Sequence, residues 1–406
     1  MPKKSHKHHK HHKHHKHHKH HKHQKTDGSH VCDIHYKLLT GTDGKPILAD
    51  NNNLKAGTTT TGPYSPFQIR TAYGLTTATG TGAGETIAII AAYKSPSGKL
   101  LSDLNTFRTR FGITTVLNFT IYSFGTAANN SWYMEECLDT QWAHAMAPNA
   151  KILVVEAADA SVNSILKAIN YATTNGATIV SMSLGTKEYS TESKTFSYFA
   201  KPGIIFTAST GDNGAGTAWP SIVSSIMAIG GTTLTLNTAD NTISSETGWT
   251  GSGGGISTYV SLPTYQSSYG LTGKRQVPDV SLNANPSTGY LIYNSVGLNG
   301  TTGWFITGGT SASNVLFAGI MAVINQMRVN LGKSRLSSAN NSILTQLYGI
   351  VANKSQDYTI DFNDITAGSN GAYSAIGGYD NVTGLGTPKN TTSSMGFINA
   401  FVNLVN

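Results

Sequence analysis

The sequence predicts an α/β fold built on a largely parallel sheet, and two observations predict it. Beyond residue 60, short continuous apolar runs, long enough for strands buried on both faces, alternate with stretches of helical periodicity. Only 12% of the 406 residues are charged while 43 are glycine, as in a loop-rich domain with a hydroxyl-covered surface. The length allows one large or two ordinary domains.

Residues 1–25 repeat His-His-Lys, holding 12 of the 15 histidines and nine lysines without an acid, a low-complexity tail expected to be disordered. It reads either as a solvated appendage or as a binder of metal ions or anionic surfaces, its imidazoles charging near pH ~6.5. Residues 26–60 stay polar and rich in Gly, Thr and Asn and read as a linker ahead of a domain at 61–406. Ser65-Pro66 is a cap-then-proline helix start, with Gly74 near that helix's end. Buried strands are expected at 86–93, 152–156, 178–183, 204–207 and 226–230, and helices at 102–110, 135–146 and 161–175.

The formal charge of +8 suggests a nucleic-acid binder until it is located. With the tail's nine lysines set aside, 20 basic residues face 21 acidic ones, so no nucleic-acid partner is expected for the folded domain. No apolar run reaches the length of a membrane span, and the N-terminus lacks the apolar core of a secretory signal. Two cysteines, Cys32 and Cys137, cannot form a disulfide framework and read as free thiols.

Gly308-Gly309-Thr310-Ser311-Ala312-Ser313 puts a serine on a tight turn just before a small-residue, apolar helix start. Such a turn is either plain core geometry or the seat of a nucleophile beside helix N–H groups. Past residue 35 the one histidine is His144, which lies about 140° around a helix from Asp139 and shares no face with it. A nucleophilic Ser311 therefore needs a base other than imidazole. Glu135 and Asp139, at i and i+4, do share a face; two carboxyls held close share a proton, and one is tuned toward general-base chemistry. Glu136 points about 100° away. Asp212 follows the apolar run 204–207, where it is either a turn residue or, protonated, a donor to a developing oxyanion. At the C-terminal end, Asp361-Phe362-Asn363-Asp364-Ile365 and the glycine-rich 377–386 are either ordinary turns or a Ca²⁺ site of carboxylates and backbone carbonyls.

Together these residues resemble the sedolisin family, the serine-carboxyl peptidases with a subtilisin-like fold, from about Tyr64 to the C-terminus. Gly309-Thr310-Ser311 matches the family's nucleophile motif. Glu135 and Asp139, in Glu-Glu-Cys-Leu-Asp-Thr-Gln with Ala147-Pro148-Asn149-Ala150 after them, match its acid pair, and Asp212 in Ser-Thr-Gly-Asp-Asn-Gly matches its oxyanion-site aspartate. Trp219-Pro220-Ser221, Ala228-Ile229-Gly230-Gly231-Thr232, Gly253-Gly254-Gly255-Ile256-Ser257 and Pro278-Asp279-Val280-Ser281 are similar to further signatures. The resemblance implies a three-layer α/β/α architecture with a mainly parallel central sheet. It implies a serine-type peptidase, an endopeptidase or an exopeptidase, that hydrolyses protein or peptide substrates through an acyl-enzyme at acidic pH, with Ser311, Glu135, Asp139 and Asp212 as the catalytic set. One structural Ca²⁺ is implied, bound by Asp364 and Asp380 with carbonyls of Ile365, Ile376 and Gly378. A monomer is expected, and the family suggests an extracellular or acidic compartment.

Three departures stand out. Val315 replaces the family's proline after the nucleophile, Ile376 replaces a glycine at one calcium carbonyl, and only about 60 polar residues precede the domain where a long folded prodomain is usual. The alternative is a catalytically inactive relative serving as a binding or structural protein, with the His/Lys tail as its working part.

Overall fold

The computed structural model describes residues 30–49, 61–352, 357–390 and 396–405; the His/Lys tail lies outside the described residues. Seven strands follow one another in the central sheet in the order Ile243–Gly248, Met227–Leu236, Ile205–Ser209, Ile179–Met182, Thr86–Ala92, Lys151–Ala157 and Phe119–Ser123. Val280–Asn283 also pairs with Met227–Leu236. All these pairings are parallel except that of the 243–248 edge strand, which runs antiparallel to 227–236.

The continuous apolar runs reflect burial on both faces. Ile87, Ile89, Ile152, Val154, Ile179 and Ile205 pack into one core with the helices Asn130–Met146 and Thr310–Asn330. Their neighbours Ala88, Ile90, Leu153, Val155, Val180 and Phe206 pack into a second core with Ile165, Leu166 and Ile169 of the helix Val162–Thr174. This alternation produces three layers, each buried Ile, Val or Phe contributing about 1.5–3 kcal/mol.

Local caps set the helix starts. Ser65 and Gln68 form a capping box before Pro66–Ala72, and Ser161 accepts from Ser164 N to open 162–174. Asn129 accepts from Ser131 and Trp132 N–H, so the helix expected at 135–146 begins at Asn130. Periodicity alone missed the antiparallel pair Tyr290–Leu298 and Thr301–Gly308, joined through Asn299 and Gly300, both at positive φ. That pair matters, because its second strand runs directly into Gly309 and Ser311. Of two further signatures, Asp279 is structural: it takes the buried Arg275 guanidinium at 2.7 and 2.6 Å, Ala228 N at 2.8 Å and the Tyr348 hydroxyl at 2.8 Å. Gly253 lets the backbone pass Thr210, whose carbonyl a Cβ would strike.

The stretch read as linker needs correcting where it is described. Asp33–Ile34 pairs antiparallel with Leu184–Lys187, and Lys37–Leu38 pairs antiparallel with the end of 301–308. Leu39 and Ala49 extend the latter contact through N–H bonds to Ile306 and Trp304. Polar composition hid this, because short strands that add to an existing sheet are held largely by backbone hydrogen bonds. Cys32 and Cys137 are both buried free thiols. Among the described residues no helix is long and apolar enough to cross a membrane.

Candidate active site

Gly309 sits at φ 98°, a conformation glycine adopts without a Cβ penalty, and turns the chain from the 301–308 strand into the 310–330 helix. That helix has no side-chain cap of its own. Its first N–H groups are satisfied from elsewhere: Thr310 N donates to Asp212 Oδ1 at 2.7 Å, and Ser311 N donates to the His35 carbonyl at 2.9 Å. Thr310 Oγ1 also donates to Asp212 Oδ1 at 2.8 Å and accepts from Gly211 N at 3.0 Å, which ties the Asp212 turn to the Ser311 turn. The second Asp212 oxygen, Oδ2, is buried and has no hydrogen-bond partner among the described residues. A Cβ on Gly309 would collide with both that oxygen and the His35 carbonyl oxygen, so the two flank the same point.

The helix 130–146 is buried along almost its whole length and packs on 310–330; Gly319 brings the two backbones close, since a Cβ there would collide with Met146 Cβ. Glu135 and Asp139 lie on that helix, 2% and 1% exposed. Burial first, and then the Asp139 charge, hold the Glu135 carboxyl well above its ordinary range. The Ser311 hydroxyl pulls in the opposite direction, so it lies near the Glu135 carboxyl, yet neither Glu135 oxygen has a well-formed hydrogen bond among the described residues. Asp139 is likewise pushed up by burial and restrained by Ser183, whose hydroxyl donates to Oδ1 at 2.9 Å. Burial also raises Asp212, to about 7, against its bonds from Thr310.

The four residues singled out as catalytic therefore come from three segments that meet at one turn. Glu136, one position on, faces elsewhere: burial and then the Glu156 charge raise it. His144 is fully buried with neither ring nitrogen bonded among the described residues, and burial followed by the Arg108 charge lowers it to about 4. Sequence reasoning missed Ser183, which bonds Asp139 and whose carbonyl accepts the Ser311 hydroxyl at 3.4 Å. It lay at the end of an expected strand, with no motif of its own. Thr310 enters the sequence reading only within the Gly309-Thr310-Ser311 motif, and no sequence signal marks His35.

At the C-terminal loops, Asp364 accepts Gly378 N on both oxygens at 3.1 Å, and Asp380 accepts Ile376 N at 3.2 Å and Val382 and Thr383 N at 2.8 Å. Both carboxylates thus border the 376–378 loop. No hydrogen bond to the carbonyls of Ile365, Ile376 or Gly378 occurs among the described residues. No group of three or more His, Cys, Asp or Glu side chains able to hold a metal occurs there either.

The subtilase family pattern matches residues 124–356. Sedolisin of Pseudomonas sp. (strain 101) is 28% identical over 402 residues, covering 85% of this chain and 64% of sedolisin. Kumamolisin of Bacillus sp. (strain MN-32) is 33% identical over 290 residues, covering 62% of this chain and 48% of kumamolisin. This chain thus spans less than two thirds of either relative. A solved Pseudomonas sedolisin, a serine-carboxyl proteinase complexed with two molecules of pseudo-iodotyrostatin, superimposes with TM-score 0.68 at 27% identity over 80% of this chain and 95% of that one.

Proposed function

The chain belongs to the subtilase family, in its sedolisin group, and from that premise we propose that it is a serine-carboxyl endopeptidase working at acidic pH. Glu135 takes the proton from Ser311 Oγ while Asp139 orients it and shares the acid pair's remaining proton. Ser311 then attacks a peptide carbonyl and forms an acyl-enzyme. Asp212, protonated, donates from Oδ2 to the oxyanion beside Ser311 N–H, a contribution of about 3 kcal/mol.

The observation that carries the reading is the convergence of three buried carboxyls, each raised by burial, around one serine. Asp212 must be neutral to donate, so activity falls as pH rises through about 7. Endopeptidase action is supported by a cleft that accepts chain on both sides of Ser311, along 184–187 and along 301–308.

A structural Ca²⁺ belongs to the same reading, held by Asp364 and Asp380 with the carbonyls of Ile365, Ile376 and Gly378. The donor set fits: all are hard oxygens, and the carbonyls accept no other bond among the described residues. Bound there, the ion would supply charge to cross-link the two loops.

A pH-resolved digest of a peptide library by the chain and by Ser311→Ala tests the function. Cleavage at acidic pH that is lost in the variant is expected. Cleavage undiminished in Ser311→Ala, or an optimum well above 7, refutes it. Removal of residues 1–25 should leave hydrolysis unchanged.

A further inference from the structure

Upstream of Ser311 the cleft wall runs along 184–187 and then along 160–162. Asp33 and Ile34 pair with Gly185 and Leu184, Val31 bridges Ser161, and the His30 carbonyl accepts Val162 N at 3.0 Å. Counted back from the His35 carbonyl at Ser311 N–H, His30 stands at the sixth place, its ring stacked on Tyr189 with centroids 3.8 Å apart. Val162 opens the helix Val162–Thr174, so a chain that takes this path next meets the outer face of that helix.

That face is a groove of about 620 Å³, within the range of ligand-binding clefts. Phe124, Tyr171 and Tyr198 line it with rings, Asn163 and Asn170 with amides, and Leu166 forms part of its floor. The rings are held by one another. Tyr122 stacks on Tyr171 with centroids 3.9 Å apart and planes 12° apart, and Phe124 meets them edge-on at 5.0 and 5.8 Å. Tyr122 and Phe124 nevertheless stay 38% and 40% exposed. Such an exposed aromatic cluster is a mark of an interaction surface.

The groove and the cleft share a wall. Phe124 N donates to Glu156 O at 2.8 Å, and Gly125 lies so close to Ala158 that a Cβ would collide with its backbone. The aromatic cluster is thus fixed to the stretch that leads into 160–162. The exposed planar amides of Asn163 and Asn170 each offer a donor and an acceptor, which is the pattern of a peptide group. From Asn163 to Thr174 the helix rises about 16 Å. An extended chain at ~3.3 Å per residue covers that distance in about five residues.

We propose that the groove along the helix Val162–Thr174 is an upstream docking site for the substrate. It holds an extended polypeptide stretch, seven to about eleven places before the bond to be cut, and favours an aromatic side chain there. The proposal rests on the peptidase reading of Ser311. The groove lies away from the reacting atoms and holds substrate and transition state alike, so it lowers KM and leaves kcat unchanged.

The test takes the full chain at acidic pH with three quenched fluorescent peptides that share the cleaved bond and the six residues before it. One ends there, one extends to eleven residues with two tyrosines in the added stretch, and one extends equally with Gly and Ser only. The tyrosine peptide should show a KM about fivefold below that of the six-residue peptide, with equal kcat, and the Gly/Ser peptide little gain. Tyr171→Ser, and separately Asn163→Ala with Asn170→Ala, should erase most of that gain and leave the six-residue peptide unchanged, which reports that each variant is folded. Equal KM for all three peptides overturns the proposal and leaves the peptidase reading intact. A gain that survives in both variants overturns it also, and cleavage of none of the peptides refutes the peptidase reading itself.

Discussion

The Asp212 carboxyl receives both the backbone N–H of Thr310, at 2.7 Å, and its hydroxyl, at 2.8 Å, on a single oxygen, leaving the other buried and unbonded among the described residues. One residue thus caps the helix carrying Ser311 and offers a free atom to the oxyanion. Asp212→Asn keeps the accepting oxygen and replaces the titrating one by an N–H₂ donor. The high-pH limb of kcat, set near 7 by Asp212, should then move upward or vanish in a pH–rate profile, with activity retained. Asp212→Ala should lose about 10²–10³ in kcat and about 1 kcal/mol of helix capping in a urea melt.

Ser183→Ala removes the hydroxyl that lowers Asp139. A bond to a charged group is worth about 1.5–3 kcal/mol, so without it the acid pair should hold its proton more tightly. The acid limb of the pH–rate profile should move upward. An unchanged limb with only a lower rate would leave Ser183 a packing residue.

Gly319→Val should drive the 310–330 and 130–146 helices apart at Met146. Overpacking of this kind costs about 1–3 kcal/mol, and kcat should fall because Ser311 and Glu135 ride on the separated helices. Met146→Ala in the same chain should restore part of both losses, measured as a double-mutant cycle.

Stability should fall as pH rises from about 4 to 7, read as Tm in the Ser311→Ala chain. Burial holds Glu135, Glu136, Asp139, Asp212 and Glu246 protonated above the range where their unfolded counterparts ionise. The native state then binds the more protons, and stability present below the unfolded values is lost on the way up to the folded ones. His35 and His144, lowered to about 4 by burial, act oppositely, losing stability as pH falls from ~6.5. Five acids outweigh two histidines, so a Tm that climbs toward neutral pH would contradict the assignment of burial as the cause.

Added Ca²⁺ should raise Tm and chelator should lower it, with a gain of about 2.7 kcal/mol at a hundredfold excess over Kd. Asp364→Ala should abolish the response. Asp364 is the cleaner choice, since Asp380 also holds Val382 and Thr383 N–H.

The layered architecture was legible in the sequence, and so were the candidate residues of the site. Buried parallel strands must be apolar on both faces, so runs such as Ile87–Ile90 announce them. The i, i+4 spacing of Glu135 and Asp139, with His144 off their face, points to a carboxylate rather than His144 as the base before any coordinate is known. Only the tertiary structure decided what surrounds those residues. Ser183 reaches Asp139 across 44 positions, a contact that no local pattern encodes. The same holds for the segment at His35. Its short strands join two small sheets largely through backbone bonds to distant partners, and such bonds leave no hydrophobic period in the sequence. Polar texture made it a linker; the fold lays its carbonyl against the N–H of Ser311.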